Sequence, residues 1–401
     1  MPPSPHNVDP NAPLPPHLDP RGRHRGRGPR MHGYQLVGRT LGVLLSVSLL
    51  VLAGYEWFTF RDINNKVTRL DIHHVGAAPA GKQVDDGQDQ NILLVGNDDR
   101  SNMTLQEVRK LKVGRDGGSI NTDTMMLVHV PADGSKATLI SLPRDTYVHI
   151  PGHGMNKLNS AYADAYNNAK GTTDQKRAAG ADLLVETVSN LTGLTIDHYV
   201  QVSLMGFYDI ANAIGGIPVN LCHAVNDTVA YNRSIGSDGG SGFKMSAGKH
   251  KLNAVQALEF VRQRHNLPLG DIDRVRRQQY FLTAAFRRVA NIGFLFKLAR
   301  LGNALERNVF MDKGLNLIDL AHQMDNLSAN NIVGKTIPFQ RFADVDVGNV
   351  EIVSPARIRH FMDRLIKRPS SSTSSSSHAP TTSASKSGSS SHKPLDKHCI
   401  N

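Results

Sequence analysis

Five arginines crowd into VRQRHNLPLGDIDRVRRQQ, Val261 to Gln279: Arg262, Arg264, Arg274, Arg276 and Arg277, with His265 among them and Arg287 close behind. Only Asp271 and Asp273 oppose them. Arg262 and Arg264 share a face if the backbone there is extended. Asp271, Arg274 and Gln278 fall at i, i+3 and i+7, one stripe of a helix that begins just after Gly270. A guanidinium matches phosphate oxygens two at a time and stays charged at any accessible pH. Arginines converging beside a few carboxylates therefore suggest a phosphate or pyrophosphate site. The plainer reading is a solvated basic helix face.

A second constellation shifts that balance. Asp98, Asp99 and Arg100 follow the apolar strand NILLV, Asp123 opens a second strand, and Arg144-Asp145 follows a third. Taken singly these are a turn, a cap and a local ion pair. Taken with the arginines they suit phosphate held beside Mg²⁺, with Mn²⁺ as the substitute. Such an ion takes one or two carboxylates and completes its shell with water and substrate phosphate. Asp98, Asp99 and Asp123 are the metal candidates; Asp98 or Asp99 is also the candidate proton acceptor. There is no GxxxxGK[ST] for a nucleotide and no GxSxG for a serine hydrolase. His149 and His153 flank Pro151-Gly152, which argues against a helix, and too few further ligands lie near for zinc.

The elements that must position these residues alternate along the chain. Asn91 to Val95 is a short strand ending at Gly96. Asp123 to Val130 and Ala137 to Leu142 flank PADGSK as a hairpin. His198 to Val202, Ile217 to Leu221, Asn331 to Pro338 and Val350 to Val353 are further strands. Helical spacing predicts helices over Leu158 to Ala169, Gln175 to Leu191, Ser203 to Ile214, Ala254 to Val261, Asp271 to Phe296, Leu315 to Leu327 and Pro355 to Ile366, the last capped by Ser354. His223 to His250, rich in Gly and Ser, reads as a long loop. This order predicts a layered α/β domain with a mixed sheet over residues 89–368, its site at strand ends.

The flanks carry much of the net charge of +11. Residues 1–35 hold Arg21, Arg23, Arg25, Arg27 and Arg30 without a core, so they read as disordered. Residues 36–60 read as a transmembrane anchor: Leu36 to Tyr55 carries only Arg39, and Tyr55, Trp57 and Phe58 form an aromatic belt. The preceding arginines place the N-terminus in the cytoplasm and the bulk of the chain outside. A cleaved leader is the alternative, with Val51-Leu52-Ala53 as a weak cleavage site. Residues 61–88 read as a stalk of marginal structure, and residues 369–401 as a disordered Ser-rich tail. Cys222 and Cys399 make a poor disulfide framework; a bridge would close a very long loop with little to position it. Nucleic acid is not an expected partner, since no recognition helix can be drawn on the cytoplasmic side.

Seven segments in order, NILLVGNDDR, NTDTMMLVHV, SLPRDTYVHIPG, KLNSAYA, DHYVQVSLMGF, AIGGIPV and LNAVQALEFVRQRHNLPLGDIDRVRRQQYFL, resemble the LytR–CpsA–Psr family of bacterial cell-envelope proteins. The likeness covers roughly residues 89–290, and its wording is that of the high-GC Gram-positive branch. It implies a three-layer α-β-α sandwich with a central mixed sheet, preceded by one transmembrane helix. It also implies a phosphotransferase that moves a glycopolymer from a polyprenyl-pyrophosphate donor to peptidoglycan. Carried onto this chain, Arg144, Arg262, Arg264, Arg274 and Gln278 would hold pyrophosphate, with Arg100 beside them. Asp98 or Asp99 with Asp123 would hold Mg²⁺, and Asp271 would hold an arginine or help activate the acceptor. Two positions depart from the family pattern: Asn121, where many members have Arg, and Ala254, where Gly is usual. The lipid tail needs an apolar cavity, which Ala181 to Leu191 and Phe294 to Leu301 could line if they are not ordinary core. A non-catalytic glycan-binding scaffold and a pyrophosphatase are the competing functions.

Overall fold

A computed structural model describes residues 46–48, 50, 67–76, 89–100, 103–111, 113, 118–228, 240–263, 265–268, 270–290, 308–323, 331–366 and 399–400. The chain divides into two units, Met1–Tyr55 and Glu56–Asn401. Of the first, residues 46–48 and 50 are helical and exposed. Among the described residues no helix is long and apolar enough to cross a membrane. The expected anchor over 36–60 falls almost wholly outside them.

The second unit contains strands β1 (Thr68–Leu70), β2 (Gln90–Asp99), β3 (Gly118–Val130), β4 (Ala137–Leu142), β5 (Thr146–Ile150), β6 (Gly154–Lys157), β7 (His198–Val202) and β8 (Ile217–Leu221). They are followed by β9 (Val225–Asn226), β10 (Lys244–Met245), β11 (Gly248–Leu252), β12 (Val309–Asp312), β13 (Ile332–Thr336), β14 (Arg341–Val345) and β15 (Gly348–Ile352). Helices α1 (Leu105–Leu111), α2 (Ser160–Asn168), α3 (Thr173–Thr192), α4 (Leu204–Ala213), α5 (Ala254–Arg262), α6 (Asp271–Ala290), α7 (Leu317–Gln323) and α8 (Pro355–Ile366) lie between and after them.

Seven strands form the central sheet in the order β1-β12-β7-β2-β3-β4-β13. The pairs β1/β12, β7/β2 and β4/β13 are parallel and the rest antiparallel, so the sheet is mixed as expected. Alternation along β2 sends Leu93 and Val95 to one face, where they meet Leu184 and Val188 of α3 and Ile358 of α8. Ile92 and Leu94 face the other way, in a cluster with Leu282 of α6 and Leu320 of α7. Helices thus cover both faces. Each fully buried Leu or Val contributes on the order of 1.5–3 kcal/mol, so these faces dominate the fold's stability.

Local chemistry explains the helix ends. Thr172 and Gln175 exchange side-chain and backbone hydrogen bonds in a capping box at the start of α3, and Gly193 closes it with φ 72°. Asn253 and Gln256 do the same for α5, and Ser203 caps α4. Inward residues of α3 (Ala181, Leu184, Val185, Val188, Leu191) recur every three or four positions and are almost fully buried in the core. They are ordinary core, the reading preferred to a lipid lining from the sequence; Phe294 to Leu301 lies outside the described residues.

The structure differs from the sequence expectations at several points. β2 does not end at Gly96 but continues to Asp99 through two register irregularities opposite β3. Asp98 and Asp99 are therefore strand residues. β3 begins at Gly118, earlier than expected. The stretch read as stalk supplies β1, which pairs with β12, and Arg69 donates to the Asp312 carbonyl at 3.0 Å. The stretch read as a long loop holds β9, β10 and β11. An unforeseen second sheet, β14-β15-β5-β6, grows from the residues right after Arg144. Cys222 and Cys399 do form a disulfide, across a separation of 177 residues. What positions it is a strand-like clasp: the Ile400 amide donates to the Asn220 carbonyl at 2.8 Å, and the Cys222 amide to the Ile400 carbonyl at 2.9 Å. Ile400 is buried among α4, α5, α6 and β8.

Candidate active site

One end of the central sheet gathers the chemistry. β2 leaves the sheet there at Asp99, pairing with Gly118 where β3 enters. β7 leaves beside Gly96, β4 leaves at Leu142 opposite Met125, and Thr336 of β13 pairs with Ser141. The irregularities in β2 lie opposite Thr122 and Thr124, the neighbours of Asp123. A bulge of this kind re-aims side chains at a sheet end.

Each carboxylate meets an arginine. Arg144 lies between two: its Nη1 donates to Asp123 Oδ1 at 2.7 Å and its Nε to Asp145 Oδ2 at 3.3 Å. Lys157 Nζ holds the other Asp145 oxygen at 3.0 Å. Arg100 grips both oxygens of Asp98, through Nε at 2.8 Å and through Nη2. Asp99 accepts from Nη2 of Arg177 at 3.2 Å. Arg177 is a neighbour of these carboxylates that sequence reasoning missed. It is buried in α3, bound also to Asp174 at 3.0 Å, and lies 4.3 Å from the Phe310 ring centroid. Burial alone would lower its basicity; the hydrogen bonds to Asp99 and Asp174 outweigh that and raise it. Close by, burial pushes the Tyr162 hydroxyl well above its usual pKa, against the pull of Gln201 and Arg177.

These pairings involve the candidate proton acceptors: Arg100 meets both oxygens of Asp98, and the buried Arg177 guanidinium meets Asp99. They also bear on a metal. Among the described residues no three His, Cys, Asp or Glu side chains group closely enough to hold an ion. Asp98, Asp99 and Asp123 do not converge as a triad. The donor chemistry still fits Mg²⁺, which needs only one or two carboxylates when substrate phosphate supplies the rest.

The arginine stretch divides in two. Arg277 is structural: it is buried over the rings of Phe260 (4.5 Å) and Phe243 (5.8 Å), and it donates to Gln263. Burial lowers its pKa to about 10, with Asp273 and Asp227 opposing. Arg276 is tied to Asp273 at 3.1 Å. Arg262 ends α5 half-buried, Arg274 is buried on α6, and Gln278 is half-buried one turn on. Asp271 opens α6, as the spacing predicts; its side chain, and Arg264 altogether, fall outside the described residues. The link to the carboxylates runs through Gln279, whose Nε2 donates to Thr336 Oγ1 at 2.7 Å and to the Lys335 carbonyl at 3.2 Å. Since Thr336 pairs with Ser141, α6 passes the sheet end from which Arg144 emerges.

The chain is an α/β protein whose mixed sheet carries arginine–carboxylate pairs at one end and is flanked by a helix of further arginines. The LytR_cpsA_psr family model matches residues 60–366, and the chain belongs to that family. Among its relatives, the cell wall biosynthesis protein LcpA of Corynebacterium glutamicum is 35% identical over 324 residues. That match covers 75% of this chain but only 60% of LcpA. It agrees with the high-GC branch. The polyisoprenyl-teichoic acid–peptidoglycan teichoic acid transferase TagU of Oceanobacillus iheyensis is 31% identical over 300 residues, covering 73% of this chain and 84% of TagU. The solved structure of Streptococcus agalactiae protein gbs0355 superposes with a TM-score of 0.55 at 22% identity, covering 73% of this chain and 94% of that one. It shares the fold.

Proposed function

We propose that this protein is a membrane-anchored phosphotransferase that moves a glycopolymer from a polyprenyl-pyrophosphate carrier to a peptidoglycan hydroxyl during cell-wall assembly. The observation that carries the proposal is Arg144, fixed by Asp123 and Asp145 where the ends of β3 and β4 meet the passing α6. A cation held between carboxylates is preorganised, so it needs no rearrangement when charge develops on a phosphate.

In this reading Arg144, Arg262, Arg264 and Arg274, with Gln278 and Arg100, bind the pyrophosphate. Asp271 holds one of these arginines or helps ready the acceptor. The acceptor oxygen attacks the phosphorus nearer the glycan, a new P–O bond forms there, and the bond to polyprenyl phosphate breaks. Positioning and charge neutralisation are most of what a protein contributes to such a transfer. Mg²⁺, or Mn²⁺ in its place, would sit on Asp123 with Asp99, Asp98 being the least available of the three. Bound there it would supply further charge neutralisation.

The topology belongs to the same proposal. Residues 36–60 anchor the chain, with Arg21 to Arg30 in the cytoplasm and the folded unit outside. The Cys222–Cys399 disulfide supports an oxidising, extracytoplasmic setting. A transfer assay tests the function, using the full chain in detergent with a polyprenyl-pyrophosphate glycan, a peptidoglycan fragment and Mg²⁺. Acceptor-linked product that disappears with chelator and in Arg264→Ala is expected. Tight donor binding without turnover on several acceptors would overturn the enzyme reading in favour of a scaffold.

A further inference from the structure

Among the described side chains, the exposed phenylalanine and tyrosine rings are Phe339 and Phe342, 39% and 53% accessible. They stand together, with ring centroids 4.9 Å apart and planes tilted by 49°. Phe342 lies in β14, whose side chains alternate between faces. Gln340 continues that strand, its amide donating to the Ile352 carbonyl at 2.8 Å. Gln340, Phe342 and Asp344 therefore share one face, and the register adds Asn349 and Glu351 of β15. Arg341 alternates to the other side. Gln340, Asp344 and Asn349 are exposed, and their side chains make no hydrogen bond or ion pair among the described residues.

The strip adjoins the candidate active site. Glu351 pairs with both Phe342 and Thr146, and its amide donates to the Asp145 carbonyl at 2.8 Å. Asp145 is one of the two carboxylates that hold Arg144. Neighbouring strands lie about 4.8 Å apart, so the Phe342 backbone stands roughly 10 Å from that of Thr146, just past Arg144. Phe339 follows β13, whose Thr336 pairs with Ser141 at the same sheet end.

Rings set among amides and a carboxylate match a pyranose. The aromatic faces take its C–H face, and the planar polar groups take its hydroxyl and acetamido edges. A protein partner fits less well: two phenylalanines cover at most about 500 Å², against about 1,600 Å² in a standard interface. The five residues of this face include two carboxylates and no cation, which disfavours both an anionic membrane surface and the phosphate-bearing donor. We propose that the face built on Phe339 and Phe342 docks the peptidoglycan acceptor through the uncharged N-acetylhexosamine rings of its glycan strand, an inference that rests on the phosphotransferase reading above. A strand lying across the rings passes within a short oligosaccharide's reach of Arg144, where its hydroxyl meets the phosphorus.

The test uses the full chain in detergent and a peptidoglycan tetrasaccharide without peptide stems. Acceptor KM and kcat are read in the transfer assay, and affinity by calorimetric titration without donor. Expected for Phe339→Ala/Phe342→Ala is binding about tenfold weaker and an acceptor KM raised to match, with donor KM and kcat at saturating acceptor within about twofold of the wild type. Phe342→Tyr keeps a stacking ring and should bind within about threefold of the wild type. Asp344→Ala leaves the rings alone and should weaken binding about threefold. Affinity and acceptor KM of the double variant within about twofold of the wild type overturn the proposal. So does a loss that tracks a lowered melting temperature. A rise in donor KM in place of acceptor KM also overturns it and gives the face to the donor glycan. If the wild type transfers and the ring variants match it, only this docking role falls. If the wild type transfers to no acceptor, the phosphotransferase reading falls, while tetrasaccharide binding lost with the rings still assigns the face to a glycan.

Discussion

Arg144 and Arg177 carry the two clearest predictions at the scale of single residues. Arg144→Ala removes a preorganised cation between Asp123 and Asp145 and should raise the transfer barrier by about 2.7–4 kcal/mol, a loss of roughly 10²–10³ in kcat. Steady-state kinetics at saturating donor would read it. Arg177→Met removes the buried cation that half-buried Asp99 binds and should cost about 1–3 kcal/mol of stability, part of it regained in Arg177→Met/Asp99→Asn. Denaturant titration of the single and double variants decides whether Asp99 is held for structure. His129 gives a pH prediction. It is buried and its Nδ1 lies 3.0 Å from Asn91 Oδ1; burial lowers its pKa below the ordinary 6.5, against a weak pull from Asp89. Below pH 6.5 the unfolded chain takes up a proton that the folded chain refuses, so stability falls as pH drops through that window. His129→Asn should flatten the unfolding free energy there. The arginines, Asp123 and Arg144 were legible because their types and spacing are unusual. Arg177 was not: it lies 78 residues from Asp99, in a helical run that looks like any other amphipathic surface.

Among the elements, α3 could be read over Gln175 to Leu191 from its apolar spacing, because that signal is local; the structure adds its capping box at Thr172. The second sheet could not. Its strands are four or five residues long; Val350 to Val353 marked β15, but the one clear alternation, Val148 and Ile150 in β5, is too short to stand out, and β6 and β14 are mostly exposed or half-buried. The run of β2 past Gly96 was hidden for a related reason, since Gly, Asn and Asp are poor strand formers and pairing with β3 overrides them. The contact of α2 with α3 rests on Gly180, where a Cβ would stand 2.8 Å from the Tyr162 carbonyl. Gly180→Ala should therefore destabilise by about 1–3 kcal/mol despite its better helix propensity, as thermal unfolding would show. Cys222 and Cys399 were visible but their pairing was not, because the clasp at Ile400 depends on the β8 edge. Cys399→Ser should lower stability by up to about 5 kcal/mol in the chain-entropy picture.

For the whole molecule, the order of strands and helices announced a mixed α/β domain, and the long arginine motif announced the family to which the chain belongs. The sheet end brings together carboxylates scattered between residues 98 and 145: three neighbouring strands, β2, β3 and β4, deliver them to one edge. The central claim is that the arginines and carboxylates at this edge direct phosphorus transfer to a sugar hydroxyl. The most direct measurement is mass spectrometry of both products from the full chain turning over a polyprenyl-pyrophosphate glycan, with and without a peptidoglycan-fragment acceptor. The account predicts acceptor carrying glycan through a single phosphate together with an equal amount of polyprenyl monophosphate, both forming about 10²–10³-fold more slowly in Arg144→Ala. Equal release of free glycan phosphate with and without acceptor, and no acceptor-linked product, would contradict it and make the site that of a pyrophosphatase.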